Sequence, residues 1–354
     1  MSDTDCPLDL TTLDFPPPHV PVREEWLARV VEPAIDPALP IIDPHHHLWH
    51  RPAERYGAKD LLRDLRDGHD IRATVFVQCR SMYHSEGPPE LRPVGETAWV
   101  DSVARAADPA GPRIAAGIVC MADLMLGDAV RPVLDAHLAA SPTRLRGVRN
   151  MSTSHESIVS SFGRIPSHRL LNPQFQAGFA HLAPLGLSYD VWAYHTQLED
   201  VLALTRRFPD TAIVVDHLGG PLGTGPFHGQ MDSVLPEWRT GIRALAACPN
   251  VTVKLGGAGM HLLGHDFHLA EDPPSSQALA EAMRPYVEPC IEAFGADRCM
   301  FESNFPVDKG MFSYRTLWNA FKQLAAGASA AERSALFHDT AARVYRIEAQ
   351  GSTT

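Results

Sequence analysis

The sequence has no apolar run approaching membrane-spanning length, no C-x-x-C pair, no repeat of solenoid period, and no G-x-G-x-x-G after its first apolar run. Each absence removes a class. Without the run there is no spanning helix to argue for. Without the glycine motif, the open dinucleotide-binding sheet loses its best signal. Positive charge is scarce as well: 31 Lys and Arg stand against 42 Asp and Glu, a formal net charge of −11. That balance argues against nucleic acid or an anionic membrane surface as the main partner. The six cysteines (Cys6, Cys79, Cys120, Cys248, Cys290, Cys299) form no small-domain framework, so they read as reduced thiols and point to the cytoplasm. Met1 to Asp14 lacks a basic stretch followed by an apolar one, which gives the expectation of a soluble, unprocessed protein.

What is present is a regular alternation. Short apolar runs cover Ile41 to His47, Ala73 to Cys79, Ile114 to Met121, Leu145 to Asn150, Leu187 to Ala193, Ala212 to Gly219, Val251 to Gly257 and Cys299 to Pro306. Amphipathic segments lie between them, among them Val94 to Ala106, Leu124 to Ala139, Gln197 to Phe208 and Pro236 to Ala247. Eight such units predict an α/β fold, a TIM (β/α)8 barrel, over residues 39–354; a doubly wound open sheet is the alternative. Ser329 and Glu332 form an S-x-x-E start for the last helix. Residues 1–38 read as an extended arm around Phe15-Pro16-Pro17-Pro18 followed by an extra helix. In that helix Trp26, Leu27, Val30, Val31 and Ile35 recur at helical spacing, and Pro37 and Pro40 end it.

The runs end in groups that a barrel gathers at its C-terminal mouth, where active sites of this fold sit. They are His45 and His47, Gln78, Arg149 with Asn150, Asp190, Asp216 with His217, Lys254, and Glu302 with Ser303 and Asn304. His45 and His47, two apart on a strand, share a face; His46 points the other way, as a core histidine would. His45, His47 and His217 together could make a three-histidine site with an open position, which lets zinc acidify water. Without metal, the same imidazoles with Arg149 and Lys254 make a pocket that polarises a carbonyl and holds a carboxylate. The long Arg80 to Glu96 connection predicts a cover over the mouth, with Tyr83 and His84 as substrate contacts. Trp192, Tyr194 and His195 supply an aromatic wall. His261, His265 and His268 read as residues of a second covering loop and not as another metal site, because glycines around them argue against a helix.

Asp43-Pro44-His45-His46-His47 resembles the D-x-H-x-H first-strand signature of the amidohydrolase superfamily, in the branch that contains 2-pyrone-4,6-dicarboxylate lactonase and sugar-acid lactonases. Asp216-His217-Leu218-Gly219 resembles that branch's D-H-x-G, and Gly147-Val148-Arg149 and Val253-Lys254-Leu255 match in kind. The resemblance runs from about Leu39 to Ile347 and implies an amidohydrolase-like barrel, with one divalent metal, zinc by preference, or none. It also implies an aspartate after the eighth strand as the base that activates water. Asn304 stands there instead. Glu302, on the same strand face, is the preferred replacement, with Asp308 in the loop as the other; Glu302 paired with Lys254 or Arg149 is the structural alternative.

These readings predict a hydrolase acting on a small carboxylated substrate, foremost a lactone, with Arg149 and Lys254 anchoring the carboxylate. A metal-dependent non-oxidative decarboxylase of an aromatic acid is the second expectation, and a catalytically silent small-molecule binding protein the third. A homo-oligomer is compatible with all three.

Overall fold

The computed structural model describes residues 19–51, 54–158 and 163–348; the Phe15-Pro16-Pro17-Pro18 arm and Cys6 lie outside them. Eight parallel strands follow one another in chain order around a nearly closed barrel. They are β1 (Pro40–His46), β2 (Asp70–Val77), β3 (Arg113–Cys120), β4 (Leu145–Val148), β5 (Ser188–Val191), β6 (Ile213–Val215), β7 (Val251–Leu255) and β8 (Cys299–Phe301). Val, Ile and Ala dominate them because both faces of each strand are covered. Ile42, Ala73, Val75, Val77, Val119, Val214 and Met300 fill the interior, joined by Tyr345 and Ile347 from the end of the chain. The larger apolar cluster lies between strands and outer helices.

Each expected run overlaps one of these strands, the first three strands beginning one to three residues early, and several strands stop short of the expected end. β4 ends before Arg149, β6 before Asp216 and β8 before Glu302. The polar residues leave the ladder there, which frees them to face the mouth. Among the helices, Val94–Ala106 matches its expected bounds, and the Ser329–Glu332 cap forms, with the Glu332 N–H donating to Ser329 Oγ at 3.3 Å. The segment from Leu124 splits into a 3₁₀ stretch and the helix Arg131–Ala140, because Gly127 takes φ 57° and breaks the helical path. The N-terminal helix is shorter than its spacing predicts: only Glu24–Leu27 is helical, and Val31 and Ile35 are exposed. Pro33 disfavours helix at the residue before it. Trp26 is fixed instead by its indole, which donates to the Glu271 carbonyl at 3.0 Å.

The barrel closes at a seam between β1 and the residues after β8. The Asn304 N–H donates to the His45 carbonyl at 2.9 Å and the His47 N–H to the Phe305 carbonyl at 2.8 Å. Asp43 fastens the same seam. Its carboxylate accepts from the Ser303 N–H (3.0 Å), Ser303 Oγ (2.6 Å) and Tyr314 Oη (3.0 Å). Burial pushes its carboxyl up to about 6, against the pull of those donors. The first residue of D-x-H-x-H is therefore a fastener and not a site group. Among the described residues the five cysteines are free and buried, and no helix is long and apolar enough to cross a membrane.

Asp43→Ala strands three buried donors, so it should lower the unfolding free energy by about 3 kcal/mol in urea titrations. A loss under about 1 kcal/mol would mean that the two backbone bonds hold the seam alone.

Candidate active site

The strand ends bring most of the expected residues into one buried cluster. The His45 ring lies 4.9 Å from that of His47 and 4.6 Å from that of His217, centre to centre. His47 Nδ1 donates to the Val77 carbonyl at 2.7 Å, which fixes its ring against β2. His46 points away into the core, where its Nε2 meets Thr74 Oγ1 at 2.9 Å. His217 sits at φ 51° and Leu218 at φ 59°, so the chain turns through the left-handed region at the site itself. Strain of this kind persists where surrounding contacts fix it. Here Gly257 packs so closely that a Cβ would lie 2.8 Å from the His217 Cβ.

Glu302 lies between two histidines. Its Oε1 is 2.7 Å from His217 Nδ1 and 3.1 Å from the His217 N–H, and its Oε2 is 2.7 Å from His45 Nδ1. Burial would raise its carboxyl, but His217 and His45 overcome that and hold it well below the usual carboxylate range. So firm an anion is a weak proton acceptor near neutral pH. Glu302 is thus placed as a ligand or an orienter of imidazoles, unlike the water-activating role expected of it.

Asp308 is placed differently. It is fully buried, with Oδ1 accepting from Asn304 Nδ2 at 2.8 Å and Oδ2 from the Gly259 N–H at 2.9 Å. Burial, stronger than both bonds, pushes its carboxyl up to about 7. Asn304, at φ 55°, therefore turns its amide toward a carboxylate four residues on. A Cβ on Gly259 would lie 2.6 Å from that of Asp308, so glycine is required for this approach.

Below the histidines lies a column of alternating charge. Tyr345 Oη donates to Asp190 at 2.6 Å, Lys254 Nζ lies 2.7 Å from Asp190 and 3.0 Å from Asp216, and Arg149 Nη1 reaches Asp216 at 3.4 Å. Burial opposes the Lys254 charge, yet Asp190, Asp216 and Glu302 together push its pKa up to about 12. Arg149 also donates to His45 Nε2 at 3.3 Å and to the Gln78 carbonyl at 2.6 Å. Both cations are thus engaged inside the protein, where a carboxylate anchor was expected. Asp216 and Tyr345 complete this column; the D-H-x-G motif marks the first, and nothing in the sequence marks the second.

Around the mouth the Gln78 amide and Tyr83 Oη are buried with no partner, whereas His84 is exposed. The Arg80 to Glu96 loop is tied at its root by the Glu96 carboxylate, which accepts from the Ser81 N–H at 2.7 Å and the Cys79 N–H at 3.1 Å. Trp192 stands edge-on to His217 with ring centres 4.7 Å apart, and Tyr194 packs against Trp192. His195 lies further out, against Phe227.

Donor atoms of His45, His217 and Glu302 lie within 4.8 Å of one another, and this set fits a divalent metal. Burial pushes the His45 imidazolium down to about 4, so that ring is neutral at neutral pH. Glu302 Oε2 is also buried without an aligned hydrogen bond. His47, expected as the third ligand, is outside this set and Glu302 takes its place.

A buried histidine pair joined by a carboxylate at the mouth of an eight-stranded barrel makes a metal-capable site. The chain belongs to the amidohydrolase family, whose profile matches residues 42–347, and it is a hydrolase of that type. It is 36% identical over 87% of its length to uncharacterized protein y4mH of Sinorhizobium fredii, covering 99% of that protein. It is 31% identical over 86% of its length to an L-fucono-1,5-lactonase of Burkholderia multivorans, covering 96% of it. An amidohydrolase of Burkholderia multivorans, solved with bound zinc, superposes with a TM-score of 0.67 at 27% identity, over 87% of this chain and 99% of that one.

Lys254→Met removes the charge but keeps the bulk of the stem. It leaves Asp190 and Asp216 buried and uncompensated, so it should destabilise the fold by about 3–5 kcal/mol in urea unfolding. Adding Asp190→Asn should recover part of that loss. No recovery would separate the two groups energetically.

Proposed function

We propose that the protein hydrolyses a lactone, foremost the uncharged lactone of a sugar acid, with Asp308 as the base that activates water. The observation that carries this reading is the Asp308 carboxyl, buried, raised to about 7, and aligned by Asn304 and Gly259. A general base works best when its pKa lies near the operating pH. Asn304 does not replace the family's aspartate as a base; it orients another one, and its neutral amide donates where a second carboxylate would repel.

The groups divide the work. Glu302 fixes the His45 and His217 rings through their Nδ1 atoms. His45, His217 and Glu302 would hold a divalent metal, which would supply Lewis-acid polarisation of the lactone carbonyl. Asp308 accepts a proton from water as the oxygen attacks the carbonyl carbon. The ring C–O bond then breaks, and Asp308 returns the proton to the leaving alkoxide, giving a hydroxy acid. Gln78 and Tyr83, whose polar atoms are buried and unpartnered, suit the hydroxyls of a sugar ring. With Arg149 and Lys254 tied to Asp216 and Asp190, the site favours a neutral lactone over a dicarboxylate. The lactonase relative supports the same substrate class.

A panel of aldonolactones, dicarboxylate lactones and aromatic acids, followed by acid release and by CO₂, tests the proposal. Acid release from aldonolactones is expected; CO₂ from an aromatic acid would overturn it. Because Asp308 acts only when ionised, kcat/KM should fall as pH drops below about 7. Glu302, ionised throughout that range, adds no second limb. Asp308→Asn should lower kcat by a factor of ~10²–10⁴ and remove that limb. Asn304→Asp sets two carboxylates within hydrogen-bond range, so it should also reduce activity and move the limb to higher pH. A gain in activity from Asn304→Asp would return the base to position 304.

A further inference from the structure

The loop after β7 carries a second group of metal-ligating side chains that the hydrolytic site does not use. His261 opens a 3₁₀ turn (His261–Leu263), Gly264 at φ 80° reverses the chain, and a second turn (Phe267–Leu269) brings His268 back. The His261 and His268 rings then meet edge to face with centres 4.9 Å apart. Asp266 completes the group: one donor atom from each of His261, Asp266 and His268 lies within 4.8 Å of the others. The pairing skips His265, so the sequence separation of four between His261 and His265 says nothing about this site.

Three features favour a ligand here over a chance surface cluster. His268 Nδ1 is buried with no hydrogen-bond partner. The backbone around the group is held from two sides: the Gly223 N–H donates to the Leu262 carbonyl at 2.7 Å, and Arg23 Nη2 donates to the His268 carbonyl at 2.5 Å. A Cβ on Gly223 would lie 2.3 Å from the Leu263 carbonyl oxygen, so the two loops touch backbone to backbone. The side chains, by contrast, are free to close in, because His261 and Asp266 are exposed. Zinc with ligands at 2.0–2.1 Å needs donor atoms about 3.4 Å apart, so closure takes roughly 1 Å of side-chain rotation.

We propose that His261, Asp266 and His268 form a second divalent-metal site, taking zinc or a similar borderline cation, on the loop that begins at the hydrolytic site. Two imidazoles, a carboxylate and one open position suit that class of ion. The near end of this loop supplies Gly257, against His217, and Gly259, whose N–H holds Asp308. A metal on the far turn cross-links the loop to itself and slows its opening.

The test counts metal. Protein stripped with a chelator is dialysed against zinc, and bound zinc per chain is measured for the parent, for His261→Ala/His268→Ala, and for His217→Ala. The double variant should hold one equivalent less than the parent, while His217→Ala keeps the loop equivalent. Amide hydrogen exchange across residues 257–272 should slow on zinc addition in the parent and stay unchanged in the double variant. Equal zinc in parent and double variant would overturn the proposal, whatever the barrel cluster binds. His261 is exposed and His268 half-buried, so the double variant leaves the core intact, whereas His217 is buried; thermal unfolding of the stripped proteins checks that each variant is folded.

Discussion

The Lys254 ammonium, enclosed in the barrel, is the constraint on which the rest of the site depends. It neutralises Asp190 from β5 and Asp216 from the end of β6 at once. Charges this close, away from water, interact far more strongly than at a surface, and removing any one leaves its partners without compensation. The column therefore fixes three strands relative to one another at the level of the mouth. Burial would raise Asp216, yet Lys254 and His45 hold its carboxyl well below the ordinary range. His45 is surrounded by this arrangement: Lys254 below it, Arg149 on its Nε2 and Glu302 on its Nδ1. Its ring cannot rotate without breaking a hydrogen bond to a charged group, so its orientation is fixed in advance.

Two carboxylates at the mouth are driven in opposite directions by their neighbours. Glu302 is hydrogen-bonded to two imidazoles and is held ionised; Asp308 accepts from an amide and a backbone N–H, and burial prevails over these and over the nearby His217. Neighbouring acids whose environments separate their pKa values are suited to separate roles. Asn304 makes that separation possible. An aspartate there would place a negative charge 2.8 Å from Asp308, and the pair would share one proton.

The barrel was legible because its strands are buried on both faces, so each shows as a continuous apolar run bounded by helical spacing. Histidines, Asp216, Lys254 and Glu302 were legible because they interrupt those runs at one end. The surroundings of Glu302 and Asp308 were not. The expectation for Glu302 rested on strand alternation, i to i+2 on one face, but the strand stops at Phe301 and Asn304 adopts a left-handed conformation. Beyond that point alternation carries no directional information. Nor could spacing reveal Tyr345, which reaches Asp190 from more than 150 residues away, or the failure of the N-terminal helix, where Trp26 is held by carbonyls of Ala270 and Glu271. Long-range partners of this kind leave no local pattern.

The same distant partners connect the edge of the protein to its chemistry. Trp26 and Arg23 bond to the far end of the loop after β7, and the near end of that loop sets Gly257 against His217 and Gly259 on Asp308. Neither glycine can gain a side chain without displacing a site residue, so the loop has one arrangement compatible with an aligned Asp308. Opening it removes the Gly259 hydrogen bond, one of the two that favour the ionised form, and Asp308 then gains water while losing its orientation. The alignment of Asp308 thus depends on the arrangement of this loop, and residues 23–26 bear on that alignment from the loop's far end.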